Sequence, residues 1–272
     1  VIYDNINNES RFIRILLIAI SILFLTILVV LPLIIVFVGA LSNGLDFYLH
    51  SIKQENAMSA IKLTLIVAAI AVPLNTVFGV MASWVITKFN FVGKQFLITF
   101  IDLPFSVSPV ISGLIYMIIF GANSVLGQFL IEHNIQIIFA VPALVIATIF
   151  TTFPFIAREL IPLMQDQGTS QEESAILLGA SGLKTFFKVT LPNIKWGLLY
   201  GVLLCNARAM GEFGAVSMVS GHIIGKTNTI PLQVEILYNQ YNFAAAFAVA
   251  SVLTILALIT LIIKRIVEKN LH

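Results

Sequence analysis

Six long apolar runs dominate the pattern of hydrophobic and polar positions, at about 14–41, 61–87, 96–120, 136–157, 196–218 and 244–263. A helix needs about 20 apolar residues to cross a hydrocarbon core roughly 30 Å thick, and each run approaches or exceeds that length. None alternates with period two between regularly spaced turns, so each predicts a helix rather than a barrel strand. The pattern fails between the fourth and fifth runs, at "TSQEESAILLGASGLKTFFKVTLP", residues 169–192. Ser170 followed by Glu173 fits a capping box, in which serine and glutamate side chains each take the other's backbone N–H. A short helix is expected through 172–179, with Ala175, Leu178 and Gly179 on one stripe and Gly182 as its left-handed stop. A second short helix is expected over 183–189, ended by Leu191-Pro192 before the chain re-enters the membrane.

Composition sharpens this picture. Hydrophobic residues make up 59% of the 272, and charged residues only 10%, against about 25% charged in an ordinary soluble domain. The predicted fold class is an all-α integral membrane protein with six transmembrane helices. The first run has a basic leader, but its apolar part far exceeds the 7–15 or so residues of a signal peptide, so it is expected to stay as a membrane helix. Residues 1–41 thus form a leader and first span, 57–265 a transmembrane domain that carries a polar loop at 158–195, and 266–272 a tail.

Charge sets the orientation. Arg11, Arg14, Lys88, Lys94, Arg158, Lys184, Lys188, Lys195, Lys264, Arg265 and Lys269 fall on one side; Lys53 and Lys226 fall on the other. Lys62 sits at a helix end and Arg208 inside a helix. The positive-inside rule puts both termini, the 88–95 loop and the 158–195 segment in the cytoplasm. The membrane expected is the cytoplasmic (inner) one, with a plastid membrane left open.

Candidate chemistry is sparse. Cys205 is the single cysteine, which leaves no intrachain disulfide, and its apolar setting suits a buried thiol. The four histidines are scattered without metal-site spacing, so no metal site is predicted. "GHIIGKT", residues 221–227, imitates a phosphate loop but has three residues between its glycines instead of four and lies on the outer side. No paired catalytic constellation and no nucleic-acid patch is present. The polar residues within the spans are Ser106, Ser108 and Ser112 near Pro104 and Pro109 in the third run, and Asn206, Arg208, Glu212 and Ser217 in the fifth. Arg208 and Glu212 stand four apart, so on one helix they would share a face and pair, turned towards protein or an aqueous pathway. The serines and prolines are weak markers, since helix packing and kinking account for them more readily.

Two stretches resemble a known family. Glu173-Ser174-Ala175, three residues, Gly179, nine residues, Val189, one residue and then Leu191-Pro192 resemble the cytoplasmic loop of ABC importer permeases, which reads Glu-Ala-Ala, Gly, Ile, Leu-Pro at the same spacing. The departures are Ser174 for alanine and Val189 for isoleucine. "ARAMGEFGAVSMVSG", "GKTNTIPLQVEILYNQYNFAAAFAVAS" and "DLPFSVSPVISGLIYMIIFG" resemble permeases of tetrahedral-oxyanion importers, in particular the W-type subunit of sulfate/thiosulfate importers. The resemblance implies the type I importer permease fold, with Glu173, Ser174, Ala175, Gly179, Leu191 and Pro192 forming a coupling loop that docks on an ATPase. It also implies two ATPase subunits that bind ATP and magnesium, a paralogous second permease, an external sulfate-binding protein, and no cofactor or catalytic residue in this chain. Arg208, Glu212, Asn206, Ser106, Ser108 and Ser112 are then candidates for the pathway or its gate. A molybdate/tungstate permease and, from another class, an ion-coupled secondary anion transporter remain the alternatives.

Overall fold

A computed structural model describes residues 11–269. The leader before residue 11, residues 270–272, and the side chains of Arg11, Lys264 and Lys269, which carry part of the charge asymmetry, lie outside the described residues. Every regular element in the described residues is helical, and six spans result if each of two bent helix pairs counts as one.

The first span joins α1 (Arg11–Leu25) to α2 (Leu31–Leu41) through a π turn at Thr26–Val30. The Leu31 N–H reaches back five residues to the Thr26 carbonyl. Pro32 comes next, and the wider turn relieves the clash and the missing N–H that a proline imposes on a tight helix. A short α3 (Leu45–Lys53) leads to α4 (Glu55–Lys88), which at 34 residues is longer than a hydrocarbon core roughly 30 Å thick requires.

The third run is not one straight helix. It forms α5 (Lys94–Ser106) and α6 (Pro109–Phe120), turned 106° at Val107-Ser108. Pro109 forces Ser108 out of the helical region (ψ 133°), and Val107 is extended as well. Pro104, by contrast, stays inside α5. A brief α7 (Val125–Glu132), capped by the Ser124 hydroxyl accepting from the Gly127 N–H, precedes α8 (Val141–Gln167).

α8 corrects a predicted boundary. It runs ten residues past the expected end of the fourth span, through Pro154 and Pro162, so Arg158 is part of a helix and not of a loop. Then come α9 (Ser170–Leu177), α10 (Gly182–Thr185), a π turn at Phe186–Thr190 and α11 (Leu191–Met210). Leu191-Pro192 does not break the chain as expected: the Leu191 N–H bonds the Phe186 carbonyl, and the π turn carries the helix through the proline as at Leu31-Pro32. The fifth span bends by 49° into α12 (Gly214–Ser220), and α13 (Ile230–Asn239) and α14 (Phe243–Lys269) complete the fold. The expected tail is therefore helical up to Lys269.

The core is α8, with α4 beside it running in the same direction and α11 crossing antiparallel. The Asn75 amide, fully buried, donates to Thr152 Oγ1 (2.7 Å) and to the Ile149 carbonyl (3.2 Å), and so bonds α4 to α8 where no water competes. Further along, Gly79 lies against Ile156, and Gly201 of α11 lies against Ile156 and Glu159. In the last span Ala246 and Ala248 are buried and Ala244 and Ala250 half-buried, small side chains that let neighbouring helices approach closely. Lys88, Lys94, Lys184 and Lys188 share one end of this bundle, referred to below as the lysine-rich end.

Candidate functional site

The two helix breaks meet. A Cβ added to Gly214 would lie 3.0 Å from Pro109 Cβ, and one added to Gly113 would lie 2.6 Å from the Ala215 carbonyl oxygen. α6 and α12 therefore run side by side from adjacent starting points, each a half-span that begins where its partner helix stops. Ser106, Ser108, Arg208 and Glu212 all fall at this level, although their positions in sequence are about a hundred residues apart. Ser106 and Ser108 are exposed and Asn206 and Ser217 half-buried. Ser112 is not part of an open wall: it is 2% exposed, and its hydroxyl donates to the Pro109 carbonyl of its own helix (2.7 Å).

Arg208 and Glu212 do pair, Nη1 to Oε2 at 2.7 Å, but not on a common helix as expected. α11 ends at Met210, and Glu212 stands in the bend. Its Oε1 accepts from the Ala215 N–H at 3.0 Å, which satisfies an amide in the first turn of α12. The ionic contact to Oε2 lacks in-line hydrogen-bond geometry, since that oxygen has no aligned donor. The Glu212 side chain is 1% exposed, whereas that of Arg208 is 34% exposed. A fixed buried carboxylate thus holds a guanidinium that still faces open space.

The polar loop forms the second part of the site. No capping box forms at Ser170: Thr169 is the N-cap, and its hydroxyl donates to Glu173 Oε1 at 2.6 Å. The capping position is one residue earlier because the helix begins at Ser170, whose carbonyl instead accepts the Ser174 hydroxyl (2.8 Å). The left-handed residue is Gly179 (φ +85°), not Gly182. The Ala180 N–H bonds the Ala175 carbonyl and the Gly179 N–H that of Ile176, a Schellman ending that requires positive φ at Gly179. Gly179 therefore serves backbone geometry; a Cβ there would meet nothing within 4 Å. Ala175 is half-buried. The outward side chains are Ile176, Leu177 and Leu178, at 55%, 88% and 89% exposure, with Leu183 and Phe187 beside them.

This tip is braced from behind. Lys88 Nζ, at the end of α4, contacts Glu172 Oε2 at 2.8 Å and the Gly168 carbonyl at 2.6 Å. Thr190 in the π turn donates to Glu172 Oε1 (3.0 Å), and Asn193 of α11 donates to Gln171 (2.5 Å). Sequence reading passed over Glu172 and Lys88 because their pairing spans 84 residues. A mostly buried ion pair that loses one partner typically costs about 3–5 kcal/mol. Lys88→Ala is accordingly expected to speed backbone hydrogen exchange across 168–180 at least tenfold, roughly 1.4 kcal/mol or more in local opening, while α14 is unchanged. Mass-spectrometric exchange on the purified chain measures it.

Among the described residues no cluster of three or more metal-ligating side chains exists. Residues 75–272 match the family model described as "Binding-protein-dependent transport system inner membrane component". The chain is 50% identical over 256 residues to the "Sulfate transport system permease protein CysW" of Escherichia coli (strain K12), covering 94% of this chain and 88% of that protein. It is 33% identical over 241 residues to the "Sulfate transport system permease protein CysT" of Salmonella typhimurium, covering 89% and 87%. Among solved structures, a chain of a bacterial alginate ABC transporter in complex with an alginate pentasaccharide-bound periplasmic protein superposes with a TM-score of 0.78 at 15% identity, covering 96% of this chain and 95% of that one.

Proposed function

Because this chain belongs to the family of inner membrane components of binding-protein-dependent transport systems, and is an ABC importer permease of the sulfate type, we propose that it forms one half of a sulfate pathway driven by a separate ATPase. The second half is a paralogous permease, as the similarity to both named sulfate permease types supports. Two ATPase subunits bind ATP and magnesium, an external protein delivers the anion, and thiosulfate shares the route. The lysine-rich end faces the cytoplasm of a bacterial or plastid membrane, with both termini on that side.

The braced loop carries this reading. Ile176, Leu177 and Leu178 form an apolar tip on a short helix outside the spans, which a soluble partner can cover and which none of the described residues covers. Glu173, Ser174, Ala175 and Gly179 shape that helix, while Leu191 and Pro192 join it to α11, so a push on the tip reaches the bend at Glu212. A dianion cannot enter hydrocarbon, since an isolated charge there costs on the order of tens of kcal/mol. The meeting of the two breaks, with Arg208, Asn206, Ser106 and Ser108 around it, is the polar constriction through which it passes.

The test is radiolabelled sulfate uptake by the importer reconstituted in proteoliposomes. Uptake is expected to require ATP and the ATPase, and to be competed by thiosulfate but poorly by molybdate. Leu177→Asp with Leu178→Asp is expected to prevent co-purification of the ATPase while the permease still inserts. Uptake without ATP, or full ATPase retention by the double variant, would overturn the reading.

A further inference from the structure

One charged pair inside the spans lies outside both parts of the site. Arg158 of α8 donates from Nε to Asp102 Oδ1 of α5 at 2.8 Å. Its guanidinium carbon is 4.6 Å from the centroid of the Phe105 ring, and Phe105 in turn packs edge-on against Phe155. The Arg158 side chain is 57% exposed, and among the described residues Asp102 is the one acceptor it engages. Both distal nitrogens are thus open.

The surroundings of α8 show where they point. α4 lies behind α8, α5 along one flank and α11 along the other, where Gly201 faces Ile156 and Glu159. Nearer the outer end, α12 closes over α8, with Ala215, Val216 and Val219 against Leu144 and Ala147. Along one face of α8, Thr148 and Thr151 are buried, Phe155 is half-buried, and Arg158 and Pro162 are exposed. This face therefore passes from buried, at the level of the two breaks, to exposed towards the lysine-rich end. Arg158 stands nine residues before the end of α8, roughly 13 Å inside it. An arginine that merely snorkelled to the membrane surface would extend towards that end. This one is held by Asp102 and stacked on Phe105, whose neighbour in sequence is Ser106 at the break.

We infer that Arg158 is an anion-binding station on the inner side of the constriction, which receives the tetrahedral dianion after it passes Arg208. This rests on the sulfate-permease reading above. A guanidinium fork matches two oxygens of such an anion, and Nη1 and Nη2 are the donors left for it. Asp102 on the opposite edge lowers the net charge of the station, so the anion is held weakly and leaves. Phe105 fixes the plane of the guanidinium from one face. The role is binding and release; no bond is made or broken.

The experiment uses the assembled importer in proteoliposomes, with lumenal sulfate added to bathe the cytoplasmic face. Arg158→Gln is expected to lower ATP-driven sulfate turnover about tenfold, the loss of one charge-assisted contact, with Arg158→Lys recovering part of it. Asp102→Asn is expected to make lumenal sulfate inhibitory at about tenfold lower concentration, because the arginine is no longer offset. If the pair only pins α5 to α8, both variants lose activity alike and lumenal inhibition is unchanged, which overturns the inference. An independent measurement applies even if the transported anion is not sulfate. Arg158→Cys should react with a membrane-impermeant anionic methanethiosulfonate from the cytoplasmic face, while the buried native Cys205 stays inert. Labelling by lipid-soluble thiol reagents alone would place the residue against lipid and end the proposal. Inactivity of the unaltered importer towards sulfate, with aqueous labelling intact, would count against the substrate and not against the station.

Discussion

Arg208→Ala is expected to abolish sulfate uptake and to reduce the yield of assembled complex, whereas Glu212→Gln should assemble well and transport poorly. The asymmetry follows from burial. The Glu212 carboxylate is 1% exposed and holds the Ala215 N–H at the start of α12. Removing Arg208 leaves that carboxylate with a single backbone donor inside the bundle, a loss of about 3–5 kcal/mol for a buried pair. Glutamine at 212 keeps an acceptor for the Ala215 N–H, and the freed Arg208, a third exposed, can be hydrated. What changes is the charge where the two breaks meet, and on the pathway proposed above an unopposed arginine there is expected to bind a dianion more tightly and slow its release. Exchange of the two residues, Arg208→Glu with Glu212→Arg, is expected to fail at assembly. An arginine at 212 has no acceptor to offer Ala215, and its charge would be buried where only a fixed carboxylate fits. Size-exclusion yield and ATP-driven uptake, measured on the same preparations, separate these outcomes. Recovery of uptake in the exchanged protein would show that pairing alone matters at this position.

Gly113→Val is expected to be the most damaging single change between helices. An added Cβ would sit 2.6 Å from the Ala215 carbonyl oxygen and 2.8 Å from Met218 Cβ, neither of which is the movable end of a side chain. α6 and α12 would have to part, and overpacking of this kind typically costs about 1–3 kcal/mol, occasionally more. On the pathway proposed above, the two half-spans begin at the constriction, so their separation should open a leak or block the path, and coupled uptake is expected to be lost in either case. Gly201→Ala is the control: its Cβ would be 3.3 Å from Ile156 Cα, a contact that a shift of a few tenths of an ångström relieves. Thermal stability in detergent should fall clearly for Gly113→Val and little for Gly201→Ala, and uptake should follow the same order. Equal behaviour of the two variants would mean that the α6–α12 contact does not set the constriction.

Much of this architecture was legible because the bilayer imposes its demands locally. A run of about 20 apolar residues must cross as a helix whatever its neighbours do. The six runs, the loop before the fifth span and the spacing from Glu173 to Pro192 therefore followed from sequence. Predictions failed where one residue's geometry overrode the pattern. Pro109 turned an apolar run into two half-spans, and Leu191-Pro192 failed to stop a helix because a π turn absorbed the proline. At the loop, Gly179 took the left-handed conformation assigned to Gly182, so a short helix forms where it was expected but ends at a different glycine.

By itself the sequence determined that the chain crosses a membrane as helices, which end its cationic residues mark, and which permease family it resembles. Only the tertiary structure decided that the two breaks coincide, that Glu212 caps α12 from within a bend, that Lys88 braces Glu172, and that Arg158 belongs to α8, paired with Asp102, and not to the loop. These pairings join residues far apart in the chain, 84 positions for Lys88 and Glu172 and 56 for Asp102 and Arg158. Hydrocarbon dictates how much of each helix is apolar but is indifferent to how the helices turn against one another. That choice rests on close contacts such as Gly79 on Ile156 and Gly113 on Ala215, whose geometry exists only once the helices are packed.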